Sequence, residues 1–329
     1  MKKLAFLLVF LLTATSLSAQ GLLGSLLGGD DSSQKGPKVK FISGDPEAKE
    51  EILMIKLHGV IMERDEEDSS VMSLRHKKNI VDVINDSLKL AANREAVKAV
   101  YLEINSPGGE VTASDVIYHY IKVFSEETKK PVFAHITNTG ASGAYYAACG
   151  CTKIYAMPTS MIGSIGVLLQ SMNIEELANK IGIKPVTIKS DKTPMKDVLS
   201  PFRQTTAEEK AMLLELVEDS YQRFVEIVSE NRKLSKDDVI KLANGSIYTA
   251  TKSLKLGLID GIGYREDVVA EACKMLNLKS IAVVKIKEEK NPWSDLLGAL
   301  SERSSDIRPV VDTFLEQLTI GNTPIMMFK

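Results

Sequence analysis

The sequence predicts an α/β fold in which parallel strands alternate with helices. Three short apolar runs, at residues 52–57, 97–104 and 132–136, have the length and composition of buried strands. Between them, apolar residues recur every three or four positions over 79–92 and 112–125, which is typical of helices packed on one face. Because strands that alternate with helices usually run parallel, with each helix as a crossover, we expect a layered α/β domain.

The second half of the chain continues this pattern with shorter elements. Short strands are predicted over 153–156, 166–169 and 185–189, and a long helix over 207–231. With 329 residues, of which 44% are hydrophobic and 26% charged, the chain can form one large domain or two small ones. We place the folded domain over residues 51–288.

The first 29 residues differ in kind from the rest. Lys2 and Lys3 precede an apolar run over 4–17, which is the pattern of a secretory signal peptide. No charged residue occurs over 4–29, so this segment is also long enough to remain as a membrane-spanning signal anchor. We predict one or the other over 1–29, with the rest of the chain outside the cytoplasm in both cases. Residues 30–50, which lack apolar periodicity, are predicted to be a flexible tether.

Charge and cysteine content exclude several classes of function. The chain has 41 Lys and Arg residues against 43 Asp and Glu residues, so it offers no basic face and we expect no nucleic acid partner. Its three cysteines, Cys149, Cys151 and Cys273, are too few for a disulfide framework or a four-cysteine zinc site. We interpret them as structural thiols.

Two glycine-rich segments follow predicted strands and carry the candidate chemistry. The first, at 105–109, reads Asn-Ser-Pro-Gly-Gly. Glycines at the carboxyl end of a strand leave backbone N–H groups open to an acyl oxygen, although a plain Pro-Gly turn has the same pattern. The second, at 140–143, reads Gly-Ala-Ser-Gly and precedes a helix-forming stretch. Ser142 is therefore a candidate nucleophile, with a simple serine helix cap as the alternative.

A nucleophilic serine needs a general base, and histidine is a poor candidate here. All four histidines precede Ser142, and His119 and His135 fall within a predicted helix and a predicted strand. Lys196 lies in a loop with two prolines, and a lysine that loses its hydration can accept the proton of a serine. Its neighbours Lys192 and Asp197 are charged, so residue chemistry alone does not single Lys196 out.

Five segments, in the same order along the chain, resemble those of bacterial signal peptide peptidase A, the Ser-Lys peptidases of family S49. They are residues 104–109, 141–146, 163–167, 196–201 and 256–263. The resemblance covers about residues 52–275. It implies a Clp protease/crotonase-like spiral of β-β-α units, with an N-terminal signal anchor and C-terminal helices. It also implies a serine endopeptidase that degrades cleaved signal peptides or other membrane-associated peptides, with no metal and no organic cofactor.

The resemblance assigns a role to each candidate residue. Ser142 is implied as the nucleophile, Lys196 as the general base, and Ser164 as the residue that orients the lysine amine. The backbone amides of Gly109, Gly108 and Ser142 are implied as oxyanion donors. The chain departs from the family pattern at residue 144, where Ala144 replaces the second glycine after Ser-Gly. We expect this change to affect substrate preference.

The resemblance also implies partners and a location. Double-length members of the family take the serine and the lysine from different halves, so in this half-length chain we expect a homo-oligomeric ring with the site between subunits. The expected substrates are apolar peptides at the membrane. The expected location is the inner membrane of a bacterium, with the catalytic domain on the periplasmic side, or secretion if the signal is cleaved.

The tail and two rival functions stay open at this stage. Residues 289–329 carry an amphipathic pattern and an apolar end, which suits burial on the chain's own core, docking on a neighbour, or occupation of the substrate groove. A crotonase-type acyl-CoA enzyme would use the same backbone donors but has no role for Ser142 or for an export signal. An inactive membrane-anchored scaffold that binds peptides would need neither Ser142 nor Lys196.

Overall fold

The computed structural model describes residues 38–63, 79–287 and 326–328. The signal or anchor predicted over 1–29 and almost all of the tail predicted over 289–329 lie outside these residues. Among the helices that the structure describes, none is both long enough and apolar enough to cross a bilayer.

The described elements form one mixed sheet with helices on both of its faces. The strands are β1 (Val39–Gly44), β2 (Glu51–Ile61), β3 (Val97–Glu110), β4 (Val132–Ala141), β5 (Lys153–Ala156), β6 (Met161–Gly163), β7 (Leu168–Leu169), β8 (Ile247–Thr249), β9 (Gly261–Ile262), β10 (Ala282–Ile286) and β11 (Met326–Phe328). The helices are α1 (Ile80–Asn93), α2 (Val111–Thr128), α3 (Gly143–Ala148), α4 (Glu175–Lys180), α5 (Ala207–Arg232), α6 (Lys236–Leu242), α7 (Ala250–Lys255) and α8 (Arg265–Leu276), with a 3-10 turn at Pro194–Asp197.

The centre of the sheet confirms the predicted parallel α/β arrangement. β2, β3, β4 and β5 lie side by side and run parallel, and Ile104 of β3 pairs with Leu57 and Ile136 on its two sides. These strands are covered on both faces, which explains why they read as continuous apolar runs rather than alternating ones.

The helices on the two faces pack against separate apolar clusters. On one face α1, α2 and α3 bury residues such as Ile84, Ile117 and Tyr146 in the main core. α1 begins where the sequence predicts, because the side chain of Asn79 accepts a hydrogen bond from the Asp82 amide at 2.9 Å. On the other face α8 packs over a smaller cluster. The site described below lies at the carboxyl ends of the parallel strands, which have these helices on their two faces.

Three predicted boundaries are wrong. The tether predicted over 30–50 contains β1, which pairs antiparallel with β10 from Val39↔Ile286 to Gly44↔Ala282. No strand forms over 185–189, where the side chains are exposed and Ile188 is 93% accessible. The strand predicted to end at residue 104 continues through the glycine-rich segment at 105–109, which is the last part of β3 and pairs with β2 up to Ile61↔Gly109.

Candidate active site

Ser142 lies at the junction between β4 and α3 in a strained conformation. Its side chain is fully buried, and its backbone has φ 55° and ψ −124°, a combination that L-residues rarely adopt. Such a conformation costs on the order of 1–3 kcal/mol and tends to persist at functional sites. Two hydrogen bonds hold it: the Ser142 amide donates to the Gly163 carbonyl at 2.7 Å, and the Tyr146 amide donates to the Ser142 carbonyl at 2.9 Å.

The hydroxyl of Ser142 has no hydrogen-bond partner within the described part of the chain. A buried hydroxyl without a partner costs about 1–3 kcal/mol, so proteins seldom keep one for packing alone. A simple helix cap would instead have its hydroxyl bonded to an amide of the first turn, and Ser142 makes no such bond. The geometry therefore favours the nucleophile interpretation over the cap.

The two glycines at the end of β3 bring the backbone directly past this serine. Gly108 has φ 101°, and a Cβ placed on it would lie 2.7 Å from the Gly143 nitrogen and 2.9 Å from the Ser142 Cβ. A Cβ on Gly109 would lie 2.0 Å from the Ile61 carbonyl oxygen of β2. Any side chain at these positions would push β3 away from Ser142 or from β2, so the segment at 105–109 needs both glycines.

Two of the three predicted oxyanion donors are already engaged. The Gly108 amide donates to the Ser106 hydroxyl at 3.1 Å, and the Ser142 amide donates to Gly163 as described above. These two predictions conflict with the structure, because a donor bonded within the protein is not free for a substrate oxygen. Gly109, the third, lies beside the site in the β3 ladder.

The Gly143 amide is the donor that the sequence reasoning missed. Gly143 is the first residue of α3, and among the described residues its N–H has no acceptor. A Cβ on Gly143 would lie 3.3 Å from the Gly109 nitrogen, so the two amides are neighbours. The signal was present, because the first N–H groups of any helix lack an acceptor within that helix.

Ser164 also lies at the site, on the side opposite the β3 glycines. It has φ 49°, is 7% exposed, and follows Gly163, whose carbonyl fixes the Ser142 backbone. Its amide donates to the Ser246 carbonyl at 2.7 Å. The structure thus brings Ser142, Gly108, Gly109 and Ser164 together.

Lys196 makes no hydrogen bond to Ser142 within the described residues of one chain. It lies in the 3-10 turn Pro194–Asp197 with its side chain exposed, and it shares a surface pocket with Lys192 and Met195. Because the Ser142 hydroxyl has no partner among the described residues, no hydrogen bond joins it to the Lys196 amine of the same chain.

A strand from the end of the chain lies beside the β3 glycines. β11 runs antiparallel to the end of β3, with Phe328 opposite Gly109, and antiparallel to β7, with Met326 opposite Leu169. An extended segment of peptide therefore fits between β3 and β7 by backbone pairing.

Other nucleophilic and basic groups near the core are structural. Burial, above all, raises the pKa of the Cys149 thiol to about 12, so this cysteine stays protonated. His135 is fully buried between the Tyr101 hydroxyl at 2.5 Å and the Gly263 carbonyl at 3.1 Å, and burial lowers its pKa. Because a carbonyl only accepts, Nε2 of His135 carries the proton and Nδ1 accepts from Tyr101.

The glycine-rich segment at 256–263 is joined by hydrogen bonds to α3, β5 and α5. The Asp260 carboxylate accepts from the Ile154 amide at 2.8 Å and from Arg232 at 2.9 Å. The Tyr145 hydroxyl of α3 donates to the Leu258 carbonyl at 2.7 Å. This segment therefore helps to fix the helix that follows Ser142.

Comparison with known proteins finds a peptidase family and relatives named as proteases. Residues 125–279 match Peptidase family S49. The chain is 30% identical over 294 residues to a protein of Enterococcus faecium provisionally named signal peptide peptidase SppA, covering 85% of this chain and 81% of that protein. It is 38% identical over 197 residues to a provisionally named protease of Methanocaldococcus jannaschii, covering 60% and 62% of the two chains.

A longer relative shows the same similarity over part of its length. Protease 4 of Salmonella typhi is 29% identical over 228 residues, which cover 69% of this chain but 35% of that protein. The chain thus spans about a third of this relative and less than two thirds of the protease from M. jannaschii. Together with the position of Ser142 against the β3 glycines, these matches establish that the chain belongs to peptidase family S49.

Proposed function

We propose that the protein is a serine endopeptidase in which Ser142 is the nucleophile and Lys196 is the general base. The observation that carries this proposal is the buried, strained Ser142 with an unpaired hydroxyl, set against a glycine backbone that admits no side chain. Membership of a peptidase family supports the same chemistry.

In the proposed mechanism the Lys196 amine takes the proton from the Ser142 hydroxyl as Oγ attacks the carbonyl carbon of a peptide. The amides of Gly109 and Gly143 donate to the oxyanion that forms. As the C–N bond breaks, Lys196 returns the proton to the leaving amine and leaves an acyl ester on Ser142. A water that gives its proton to Lys196 then hydrolyses the ester, and the proton returns to Ser142. Ser164 orients the lysine amine by a hydrogen bond.

Lys196 reaches Ser142 from a neighbouring copy of the chain in a ring-shaped homo-oligomer. Two observations support this. Lys196 is exposed and unconnected to the Ser142 hydroxyl of its own chain. Residues 172–188, which precede Lys196, and the first half of α5 expose large apolar side chains, as expected of an interface. These side chains are Met172, Leu177, Ile181, Ile183, Val186, Ile188, Leu214 and Leu216.

The proposed substrates are cleaved signal peptides and other membrane-associated peptides, cut on the extracytoplasmic side of a membrane. The name of the relative from E. faecium supports this choice. We further propose that the fold follows the Clp protease/crotonase plan, in which a substrate strand adds to the sheet edge beside β3.

An acyl-enzyme trapping experiment tests the proposed chemistry. Incubation with a peptide ester, followed by acid quench and mass spectrometry, is expected to show one acyl group on the peptide that contains Ser142, because ester acylation outpaces hydrolysis in many serine peptidases. The Ser142→Ala variant should take up none. Labelling that persists in this variant, or turnover of the ester by this variant at the wild-type rate, would contradict the assignment.

The position of β11 yields a prediction about the tail. Removing residues 326–329 is expected to raise the initial rate of peptide hydrolysis several-fold and lower KM, because a strand paired with Gly109 competes with substrate for the same backbone groups. Steady-state assays on the truncated and full chains measure this effect. A matched control replaces residues 326–328 by three glycines, which removes the side chains and weakens the strand without shortening the chain. An unchanged KM in both variants would show that β11 does not compete.

A further inference from the structure

Beside Lys196, the guanidinium of Arg203 has every one of its nitrogens engaged in hydrogen bonds. Nε donates to Asp197 Oδ2 at 3.0 Å, and Nη2 donates to Asp197 Oδ1 at 2.9 Å and to the Asp197 carbonyl at 3.0 Å. Towards α5, Nη1 and Nη2 donate to the two Glu209 oxygens at 2.8 and 2.5 Å. Nη1 also donates to the Gln204 carbonyl at 3.1 Å. Two bidentate pairs on one arginine hold both carboxylates in a fixed geometry.

We infer that Arg203 is a positioning residue for Lys196: it fastens the Lys196 turn to the start of α5 and neutralises Asp197, the next residue in the sequence, so that the Lys196 amine can lose its proton. This inference rests on the proposed role of Lys196 as the general base. Arg203 itself touches no reacting atom.

The fastening role follows from how little else holds this segment. Residues 184–194 are all exposed, so they gain little from apolar burial. Glu209, in contrast, is 2% exposed and belongs to the capping box of α5, where its side chain accepts from the Thr206 amide at 2.9 Å. Arg203 therefore joins a turn with few apolar contacts to a fixed helix terminus.

The electrostatic role follows from sequence order. Asp197 is the residue directly after Lys196, and a free carboxylate there would stabilise the protonated amine and weaken it as a base. In the structure Arg203 and Lys189 both bond this carboxylate, and Arg203 above all holds its pKa well below the usual range. Arg203 likewise holds the pKa of Glu209 near 2.

The charges around the turn therefore cancel. Lys189, Arg203, Asp197 and Glu209 form one cluster of ion pairs, in which two positive charges balance two negative charges. The other charged groups on the packed segments are exposed: Lys184, Asp191 and Lys192 before the turn, and Glu208 and Lys210 in the first turn of α5. They contribute three positive and two negative charges at the solvent surface, where screening is strong.

The Arg203→Gln variant tests the inference through the pH dependence of kcat/KM. With Asp197 only partly neutralised, the pKa of Lys196 should rise, and the ascending limb of the profile should move to higher pH by about one unit. Activity at pH 7 should fall about tenfold and recover at high pH. A purely structural role would instead lower kcat/KM by the same factor at every pH.

Further variants separate charge from folding. In the double variant Asp197→Asn with Arg203→Gln, the ascending limb should return towards its wild-type position, because the charge that Arg203 neutralises is gone. Arg94→Gln is the matched control, since Arg94 makes an equally close bidentate pair with Glu51 far along the chain from Lys196. The Arg94→Gln variant should leave the ascending limb of the pH profile of kcat/KM unchanged. A limb that does not move in Arg203→Gln, or that moves equally in Arg94→Gln, overturns the inference.

A second readout does not depend on catalysis. Competitive labelling of lysines with acetic anhydride across a pH series, read by mass spectrometry, gives the pKa of Lys196 in the assembled protein. It should rise in Arg203→Gln and return in the double variant. If Lys196→Ala keeps full activity, the proposed function fails, whereas an unchanged labelling midpoint in Arg203→Gln defeats only the role of Arg203.

Discussion

Replacing Ser142 by alanine is expected to lower kcat/KM for peptide hydrolysis by at least about a thousandfold, which corresponds to about 4 kcal/mol of lost transition-state stabilisation. The variant keeps the oxyanion amides and the groove but has no atom that can form the acyl bond. Because the wild-type hydroxyl has no hydrogen-bond partner, its removal breaks no bond within the described structure, and the fold should be unaffected. A fluorogenic peptide and casein, assayed beside thermal unfolding, measure the two effects.

The Lys196→Ala variant should show a loss of the same order, and the double variant should lose no more than either single one, because the two groups act in one proton transfer. Two controls match the deleted groups. Ser87→Ala removes a buried serine hydroxyl that bonds the Val83 carbonyl in α1, and Lys192→Ala removes an exposed lysine from the same loop as Lys196. Both should keep near wild-type activity. Activity that survives in Ser142→Ala or Lys196→Ala would defeat the dyad.

Mixing the two inactive variants is expected to restore activity. If Ser142 of one subunit works with Lys196 of the next, random assembly of equal amounts gives an intact pair at about one site in four, so about a quarter of the wild-type rate should return. The recovery needs subunit exchange, so the proteins are mixed under conditions that dissociate the oligomer and then reassembled. Size-exclusion chromatography checks assembly before the assay.

The same mixture separates the two arrangements of the dyad. If serine and lysine of one chain formed the site, every chain in the mixture would lack one of them and no activity would return. Wild-type protein taken through the same dissociation should regain its full rate, which excludes damage during reassembly.

The alternation of strands and helices could be predicted because it is a local property of the sequence. The apolar periods over 79–92 and 112–125 mark α1 and α2 to within a few residues, since each helix buries one continuous face. The family resemblance also marked Ser142, Gly108, Gly109 and Ser164 as parts of one site, and they are neighbours in the structure. Short segments determine the two helices, whereas the grouping of these four residues came from the resemblance.

The errors came from long-range pairing. Asn-Ser-Pro-Gly-Gly was predicted to follow the strand that ends at residue 104, and pairing with β2, β4 and β11 keeps this segment extended as part of the strand. β1 has the composition of a linker, and it becomes a strand because β10, more than two hundred residues later, offers an edge. The sequence could offer the Gly143 amide as a candidate oxyanion donor, but it could not show that the Ser142 amide is engaged, because that depends on its hydrogen bond to the Gly163 carbonyl. An apolar segment at 185–189 forms no strand without an edge to join.

The pairing of β1 with β10 has a mechanical consequence. Val39, where β1 begins, lies opposite Ile286, where β10 ends, so these two strand ends are neighbours about 5 Å apart. A force that pulls these two ends apart would open the ladder one hydrogen bond at a time, whereas the parallel pairing of β10 with β2 would resist as a group. Tension between the two ends would therefore detach β1 first and leave the sheet that carries Ser142 intact.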